Sequence, residues 1–486
     1  MVALKKSLPV ILFLIFLSSC FHAYSNYTDE LGPLEPNEFY VRNFKTSNFY
    51  KVKASILASG DYCEIWVENG SAVTQYLANA FANKYDNDIR PRIINSFSEQ
   101  DIQITDRGKL YEFDDILEFA NWLAGKDNNK LTILLLDIQD DYHAITNPSY
   151  IAGYFYQADF FEKGWVYGTK YYSNGSDIIY IDISPGLKTE NIEKTYATFA
   201  HELQHLINFA TSVFLDREKK MDLWIDEGMS SQAEYIYLNE NPKEKIDWFS
   251  KSDTIKKGNN FFVWDNHEDD MAIHDEYATV YLFFHWLYLQ ANTQLKSTIF
   301  KEIVNSSYYD YRAATNVAKK INSDWNDWGT LLRTWFAANY DPANTIFGYK
   351  GDSSLHSLKV YPIGGTDIDL FPGEGVYSII NESVNKTVTG NINYAGLEKN
   401  QEPSTVSPFN QDMLLTYNKS LNLNGGTETG SLTGEEPPKT FSSISKSQAD
   451  GEKESSTGSY VLDARDVWGR DREKEIFDSF KRQIRK

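Results

Sequence analysis

The chain has 486 residues, of which 42% are hydrophobic and 15% aromatic, and its formal net charge at pH 7 is −21. The apolar content is sufficient for a sizeable core, and the length predicts two or three domains rather than one. Because binding to nucleic acid relies on clustered Lys and Arg, an acidic chain without a basic cluster excludes nucleic acid as the expected partner. Cys20 and Cys63 are its two cysteines, so we expect stability to come from packing rather than from a disulfide framework.

The first predicted element is an export signal over residues 1–19. Two lysines precede a charge-free run from Leu8 to Leu17, which is too short to cross a bilayer. The segment Leu17-Ser18-Ser19-Cys20 resembles the lipobox of bacterial lipoproteins, in which the cysteine is acylated and becomes the new N-terminus. We therefore expect a cell-envelope lipoprotein, anchored through Cys20 to the outer or cytoplasmic membrane, on its periplasmic or surface face. Cleavage after Ala23-Tyr24-Ser25 is the alternative and would release a secreted protein.

Strand patterns dominate the next part of the chain. Residues 20–50 are polar and are predicted as a lead-in or tether. After them, alternating or continuous apolar runs bounded by turn residues predict strands. The clearest runs are Val52–Leu57, Cys63–Val67, Leu131–Leu136, Gly153–Tyr156 and Asp177–Ile183.

Helical patterns follow the strands. Apolar residues recur at helical spacing over 190–214 and 223–239, and further helices are predicted over 275–340. A mixed sheet followed by helices is typical of the α+β class. We assign residues 51–345 to one main domain, whose sheet part ends at about residue 185.

The composition changes after about residue 350. Residues 350–398 alternate like β-strands with Gly-rich turns, which predicts a small β module. Residues 399–458 are rich in Ser, Thr, Gly, Pro and Glu, so 399–486 is predicted to be a low-complexity tail that ends in a charged helix.

The sharpest chemical signal is the segment Ala200-His201-Glu202-Leu203-Gln204-His205. Two histidines four positions apart stand on one face of a helix, where their imidazoles can converge on one Zn²⁺. The glutamate after the first histidine suits a general base beside the metal. The apolar residues of this helix project to the opposite side, so we expect His201 and His205 to face a cleft or solvent. Two surface histidines on an amphipathic helix are the alternative.

A third metal ligand is expected from the helix predicted over 223–239. Glu227 is the candidate, because small residues share its side of the helix and would let the two helices approach closely. Asp226 projects about 100° away from it and is the poorer ligand. Glu234 is predicted either to accept a hydrogen bond from a ligand histidine or to be a solvated helix residue.

The sequences Ala-His-Glu-Leu-Gln-His-Leu-Ile-Asn-Phe at 200–209 and Trp-Ile-Asp-Glu-Gly at 224–228 resemble motifs of the hyicolysin-type metallopeptidases. More broadly, the chain is similar to gluzincins such as thermolysin. The resemblance covers about residues 50–345 and implies a zincin-like metallopeptidase domain with one zinc ion and protein or peptide substrates. The aminopeptidase motif Gly-X-Met-Glu-Asn does not occur in the sequence, which favours an endopeptidase.

In the reaction that these residues imply, metal-bound water attacks the scissile carbonyl while Glu202 takes the proton and returns it to the leaving amine. The oxyanion needs a further donor, for which His274, Tyr277 and Tyr281 are candidates. Packing in an aromatic core is the alternative for each tyrosine. The strand near 178–183 is expected to be an edge strand to which an extended peptide can add.

Three alternatives remain open. The acidic segment Asp265–Asp270 is predicted either to bind Ca²⁺ or to be an exposed, solvated loop. The chain as a whole could be a non-catalytic surface lipoprotein or adhesin that keeps a metallopeptidase frame. It could also be an aminopeptidase.

Overall fold

The computed structural model describes most of the chain between residues 28 and 431. No helix in this described part is long and apolar enough to span a membrane. The predicted export signal, Cys20, the segment Asp265–Asp270 and the charged helix predicted at the end of the tail lie outside the described residues. Those residues are 28–106, 109–166, 169–215, 217–258, 261–262, 264, 274–363, 367–379, 390–405, 413–422 and 428–431.

The strands form one large sheet and several small ones. In chain order they are β1 (Glu38–Asn43), β2 (Asn48–Ser59), β3 (Cys63–Glu68), β4 (Gln100–Asp106), β5 (Lys109–Asp115), β6 (Leu131–Leu136), β7 (Gly153–Phe155), β8 (Gly164–Trp165), β9 (Tyr172–Ser173), β10 (Ile178–Asp182), β11 (Asp367–Leu370), β12 (Gly375–Ile379), β13 (Ile392–Leu397), β14 (Met413–Asn418) and β15 (Glu428–Ser431).

The large sheet has its strands in the order β1, β2, β3, β6, β10, β7. β3, β6 and β10 run parallel, and the other neighbouring strands are antiparallel. Every residue of β6 and of β10 is buried, as expected for parallel strands covered on both faces. β4 pairs with β5, and β8 pairs with β9, in separate two-stranded sheets.

Two expectations about this sheet are wrong. The strand near 178–183 is not an edge strand, because β10 lies between β6 and β7, and among the described residues β7 forms the edge. Strand order depends on pairing between distant segments, which a local pattern does not contain. The predicted lead-in over 20–50 also contains β1 and the start of β2, which pair with each other. The sheet therefore begins earlier in the chain than its apolar runs indicate.

The helices agree with the predicted α+β class. In chain order the helices are α1 (Gln75–Lys84), α2 (Arg90–Phe97), α3 (Ile116–Leu123), α4 (Ile192–Phe214), α5 (Leu223–Leu238), α6 (Lys243–Lys251), α7 (Asp253–Lys256), α8 (His274–Gln290), α9 (Thr293–Lys296), α10 (Ile299–Val304), α11 (Tyr311–Ile321) and α12 (Trp328–Tyr340). The predictions over 190–214 and 223–239 correspond to α4 and α5, and those over 275–340 correspond to α8 to α12.

Helix α4 lies between the sheet and α5. It packs against β7 and β10 and against α5, while α5 in turn contacts α8. Trp224 at the start of α5 stacks on Phe284 of α8, with ring centres 5.5 Å apart. α5 ends at Asn239, whose left-handed backbone (φ 54°) stops the helix. This packing places the middle of α4 against the first turns of α5.

The last strands form two small sheets. β14 lies between β12 and β13, and β11 pairs with β15. The prediction of a low-complexity tail is therefore wrong for β14 and β15. Leu414 and Leu415 of β14 are buried, but they form a short apolar run inside a polar stretch, so the average composition conceals the strand. The rings of Tyr377 and Tyr417 lie near Phe336 of α12, which packs this sheet on the helices.

Candidate metal centre

His201, Glu202 and His205 lie in the middle of α4 on the side that faces α5. All three are buried, with exposed fractions of 7%, 4% and 1%. The expectation that the histidines face a cleft or solvent is only partly correct, because α5 covers them while His201 and Glu202 still line a cavity. The alternative of two surface histidines is wrong.

Glu227 of α5 lies opposite both histidines. Its Oε2 is 3.4 Å from His201 Nε2 and 3.3 Å from His205 Nε2, and the two Nε2 atoms are 2.9 Å apart. Atoms that surround zinc tetrahedrally at about 2.0–2.1 Å lie about 3.3–3.4 Å from one another. The triangle of ligand atoms is close to the size that zinc requires, so these three residues could hold a metal ion.

A carboxylate orients each imidazole through its other ring nitrogen. His201 Nδ1 lies 2.8 Å from Glu234 Oε1, and His205 Nδ1 lies 3.0 Å from Asp226 Oδ1. An ionised carboxylate can only accept, so each Nδ1 carries the proton and donates it. Both Nε2 lone pairs then point toward each other and toward Glu227. Such close lone pairs repel unless a cation lies between them, so the donor set fits a metal ion.

The register between α4 and α5 explains this pairing. The two helices run antiparallel, so His205 faces Asp226 at the start of α5 while His201 faces Glu234 about two turns later. Of the two environments predicted for Glu234, the structure shows the hydrogen bond to a histidine. Sequence reasoning missed the role of Asp226, which it considered only as a rival ligand. The contact of Asp226 with His205 depends on the antiparallel register of the two helices, for which the sequence contains no local signal.

Further polar contacts fix the Asp226 side of the centre. Asn208 Nδ2 donates to Asp226 Oδ1, and Ser230 Oγ lies 2.8 Å from His205 Nδ1. The Ser230 hydroxyl also donates to Gln204 Oε1 at 2.6 Å. The small residues predicted on this face of α5 therefore allow close approach and also supply hydrogen bonds.

Glu234 is shared between His201 and a lysine. Lys245 Nζ of α6 donates to Glu234 Oε1 at 2.7 Å. Burial raises the pKa of Glu234, but the Lys245 ammonium and the His201 hydrogen bond outweigh it and hold that pKa below its ordinary value. Glu234 is therefore ionised at neutral pH. Its negative charge favours the Nδ1-protonated form of His201.

Glu202 projects toward the edge strand β7. Its Oε2 accepts a hydrogen bond from the backbone N–H of Phe155 at 2.9 Å. At Gly153, on the same strand, a Cβ atom would lie 2.8 Å from the Tyr180 carbonyl oxygen, so a larger residue would push β7 away from β10. The strand and the predicted base are thereby held next to each other.

A cavity of about 510 Å³ opens beside His201 and Glu202. Its walls come from β7, α4, α5, α6 and α8. Ala197, Leu238 and Trp248 contribute apolar surface, and Lys245 contributes its charge. The cavity connects the candidate metal centre to a space large enough for a substrate side chain.

Two of the three predicted oxyanion donors, His274 and Tyr277, line this cavity. Burial, assisted by the Lys245 charge, lowers the pKa of His274 to about 4, so its imidazole is neutral at neutral pH. The hydroxyl of Tyr281 instead donates to Asn241 Oδ1, and the tyrosine is fully buried. Tyr281 is therefore the core residue that its alternative interpretation predicted.

The chain is similar in sequence to a known metalloprotease. No protein-family model matches the chain. The neutral metalloprotease ShpI of Staphylococcus hyicus is 27% identical to it over 333 residues, which cover 67% of this chain and 67% of that protein. The similarity supports a place for this chain among the metallopeptidases, and the buried cluster of His201, His205 and Glu227 fits a metal site.

Proposed function

We propose that this chain is a zinc metallopeptidase of zincin-like fold. His201, His205 and Glu227 would hold the zinc, and Glu202 would act as the general base. The observation that carries the proposal is the convergence of three buried ligand atoms within 4.8 Å of one another, with the Glu202 carboxylate beside them against an edge strand. The similarity to a neutral metalloprotease supports it.

Glu202 performs the proton transfers in this proposal. Bound zinc would supply a Lewis acid that polarises water and the scissile carbonyl. Glu202 accepts a proton from the attacking water and delivers it to the nitrogen of the leaving amine. The Phe155 N–H donates to Glu202 Oε2 and so keeps the carboxylate in place during both transfers.

The edge strand supports a protein or peptide substrate. β7 ends the six-stranded sheet in the part of the chain that the structure describes, and its Phe155 touches Glu202. An extended peptide can add to such an edge through main-chain hydrogen bonds, and the cavity beside His201 would then receive one of its side chains. We favour an endopeptidase, because the sequence does not contain the Gly-X-Met-Glu-Asn aminopeptidase motif.

Either Tyr277 or His274 would stabilise the oxyanion. Both line the cavity next to His201 and Glu202. The tyrosine donates through its hydroxyl, and the neutral imidazole of His274 donates through the ring nitrogen that carries its proton. A donor aimed at the developing charge typically contributes about 10²–10³-fold in rate.

The same proposal includes export. The residues that support it are the basic start, the short apolar run and Cys20 in a lipobox-like segment. We propose a lipoprotein of the cell envelope, with a secreted protein as the alternative. Metabolic labelling with a fatty acid in the wild type and in Cys20→Ala would separate them.

The test of function uses Glu202→Gln, which keeps the shape of the side chain but removes its basicity. We expect casein hydrolysis to fall by about 10²–10⁴-fold while zinc content stays at one ion per chain. Glu244→Gln is the matched control, because Glu244 lines the same cavity but pairs with Lys194 at the exposed rim. It should keep wild-type activity.

Three other outcomes would overturn parts of the proposal. Full activity of Glu202→Gln would exclude its role as the base. Zinc bound by the wild type without any hydrolysis would favour the non-catalytic binding protein. Cleavage that requires a free amino terminus in synthetic peptides would identify an aminopeptidase.

A further inference from the structure

We propose that Lys245 is a positioning residue for the metal centre, which anchors Glu234 so that Glu234 orients His201 toward the metal. The inference rests on the proposed function but goes beyond it, since Lys245 is neither a proposed ligand nor the general base. It lies on α6, a helix that contributes none of the predicted site residues.

The two histidines are supported in different ways. On one side, Asp226 is next to Glu227 in the chain and receives a hydrogen bond from Asn208, and Ser230 adds a second contact to His205. On the other side, Glu234 lies about two turns further along α5. Within the described residues, its hydrogen-bond partners are His201 and Lys245. The position of Glu234 therefore depends on Lys245.

One oxygen of Glu234 serves both partners. Oε1 lies 2.8 Å from His201 Nδ1 and 2.7 Å from Lys245 Nζ. A carboxylate oxygen can accept two hydrogen bonds, and the ammonium charge strengthens the one from the lysine. Lys245 thereby determines where the shared oxygen lies.

Lys245 is itself held in place. Its ammonium donates to Ser231 Oγ at 3.0 Å and lies 5.9 Å from the ring centres of both Tyr277 and Tyr281. Its side chain is only 18% exposed. A lysine with these contacts is fixed by α5 and α8 and differs from a mobile surface lysine.

The expected consequence is a change in metal retention. A glutamate side chain has several rotatable bonds, so without the ammonium Glu234 could turn toward the cavity. His201 would then lose its fixed orientation. Loss of such a partner typically lowers metal affinity by about 10–100-fold. Because Lys245 also lines the cavity, it connects the cavity wall formed by α6 to a metal ligand.

The experiment compares Lys245→Met, Lys245→Arg and Lys194→Met in the full chain. Zinc affinity is measured by competition with a chromophoric chelator, and the visible absorption of the Co²⁺-substituted proteins reports ligand geometry. Lys245→Met should bind zinc about 10–100-fold more weakly and show a changed cobalt spectrum. Lys245→Arg should recover most of the affinity, because it keeps the charge and the donors.

Lys194→Met is the matched control. Lys194 lines the same cavity, but its ammonium pairs with Glu244 at the rim, where the two side chains are 50% and 63% exposed. This variant should bind zinc like the wild type. The double variant Glu234→Gln/Lys245→Met supplies a second comparison. If Lys245 acts through Glu234, Lys245→Met should weaken zinc binding much less in the Glu234→Gln protein than in the wild type.

Several results would overturn the proposal. One is an unchanged zinc affinity and cobalt spectrum in Lys245→Met, and another is a loss of zinc affinity in Lys194→Met as large as that in Lys245→Met. A third is a higher KM of Lys245→Met with unchanged zinc affinity, which would indicate that Lys245 contacts the substrate. If Lys245→Met does not fold, Lys245→Gln takes its place in the same comparison. If the wild type binds zinc but cleaves nothing, only the proposed function is overturned. If the wild type binds no zinc, the proposed function and the role of Lys245 are both overturned.

Discussion

Replacing Gly228 by Ala is expected to displace Glu227 from the two histidines. Gly228 follows Glu227 on α5, at the point where α5 crosses α8. A Cβ atom there would overlap Cδ2 and Cε2 of Phe284. That ring is fully buried and is stacked on Trp224, so it has no solvent-filled space to enter.

The magnitude follows from the overlap. To reach ordinary van der Waals contact at 3.4 Å, α5 and the Phe284 ring must separate by on the order of 1 Å, and overpacking of this kind costs about 1–3 kcal/mol. The helix propensity of Ala returns about 1 kcal/mol. We expect a net loss of about 0–2 kcal/mol in the free energy of unfolding. A shift of about 1 Å at a reacting group can lower activity by about 10²-fold.

The assay combines urea unfolding, chelator competition for zinc and casein hydrolysis. Gly329→Ala is the matched control, because Gly329 also lies in a helix but its Cβ would meet only side-chain atoms at milder distances, Lys419 Cδ at 3.1 Å and Asp327 Oδ1 at 3.2 Å. This control should be neutral or slightly stabilising and fully active. If Gly228→Ala behaved in all three assays like Gly329→Ala, the reasoning that packing against α8 positions Glu227 would be refuted.

Three further predictions address the polar groups of the fold. Asp226→Asn keeps an acceptor for His205 Nδ1 but removes the charge, so zinc affinity should fall by about 10–100-fold in chelator competition; an unchanged affinity would contradict the role of Asp226. If Tyr277 is the oxyanion donor, Tyr277→Phe should lower kcat by about 10²–10³-fold without changing zinc affinity. Tyr281→Phe should keep the wild-type kcat; a lower kcat in Tyr281→Phe with an unchanged kcat in Tyr277→Phe would exclude Tyr277. Burial raises the pKa of Asp159 to about 7, although hydrogen bonds from Tyr180 and Asn174 act to lower it. Between about pH 4 and 7 the folded state therefore keeps a proton on Asp159 that the unfolded state has released. The contribution of Asp159 to the free energy of unfolding is therefore present at low pH. It is lost as the pH rises to about 7, by up to about 1.4 kcal/mol per pH unit. In urea unfolding from pH 4 to 8, Asp159→Asn should lack this loss, and curves parallel to the wild type would refute the shift.

Local patterns were sufficient to predict the elements that carry the candidate site. The apolar periodicity around His201 and His205 predicts a helix over 190–214, and α4 spans Ile192–Phe214. Helical spacing places both imidazoles on one face, and the small residues after Glu227 predict the close approach of α5. These inferences succeed because side-chain direction along a helix is determined by the spacing of residues in the chain.

The tertiary structure alone decided the partners that surround these residues. In the part of the chain that the structure describes, β7 forms the sheet edge and β10 does not, and β14 inserts between β12 and β13, because strand pairing joins segments that are distant in the chain. Asp226 reaches His205 through the antiparallel register of α4 and α5, and Lys245 reaches Glu234 from a third helix. Such contacts depend on how whole elements pack, and no local spacing of residues encodes that packing.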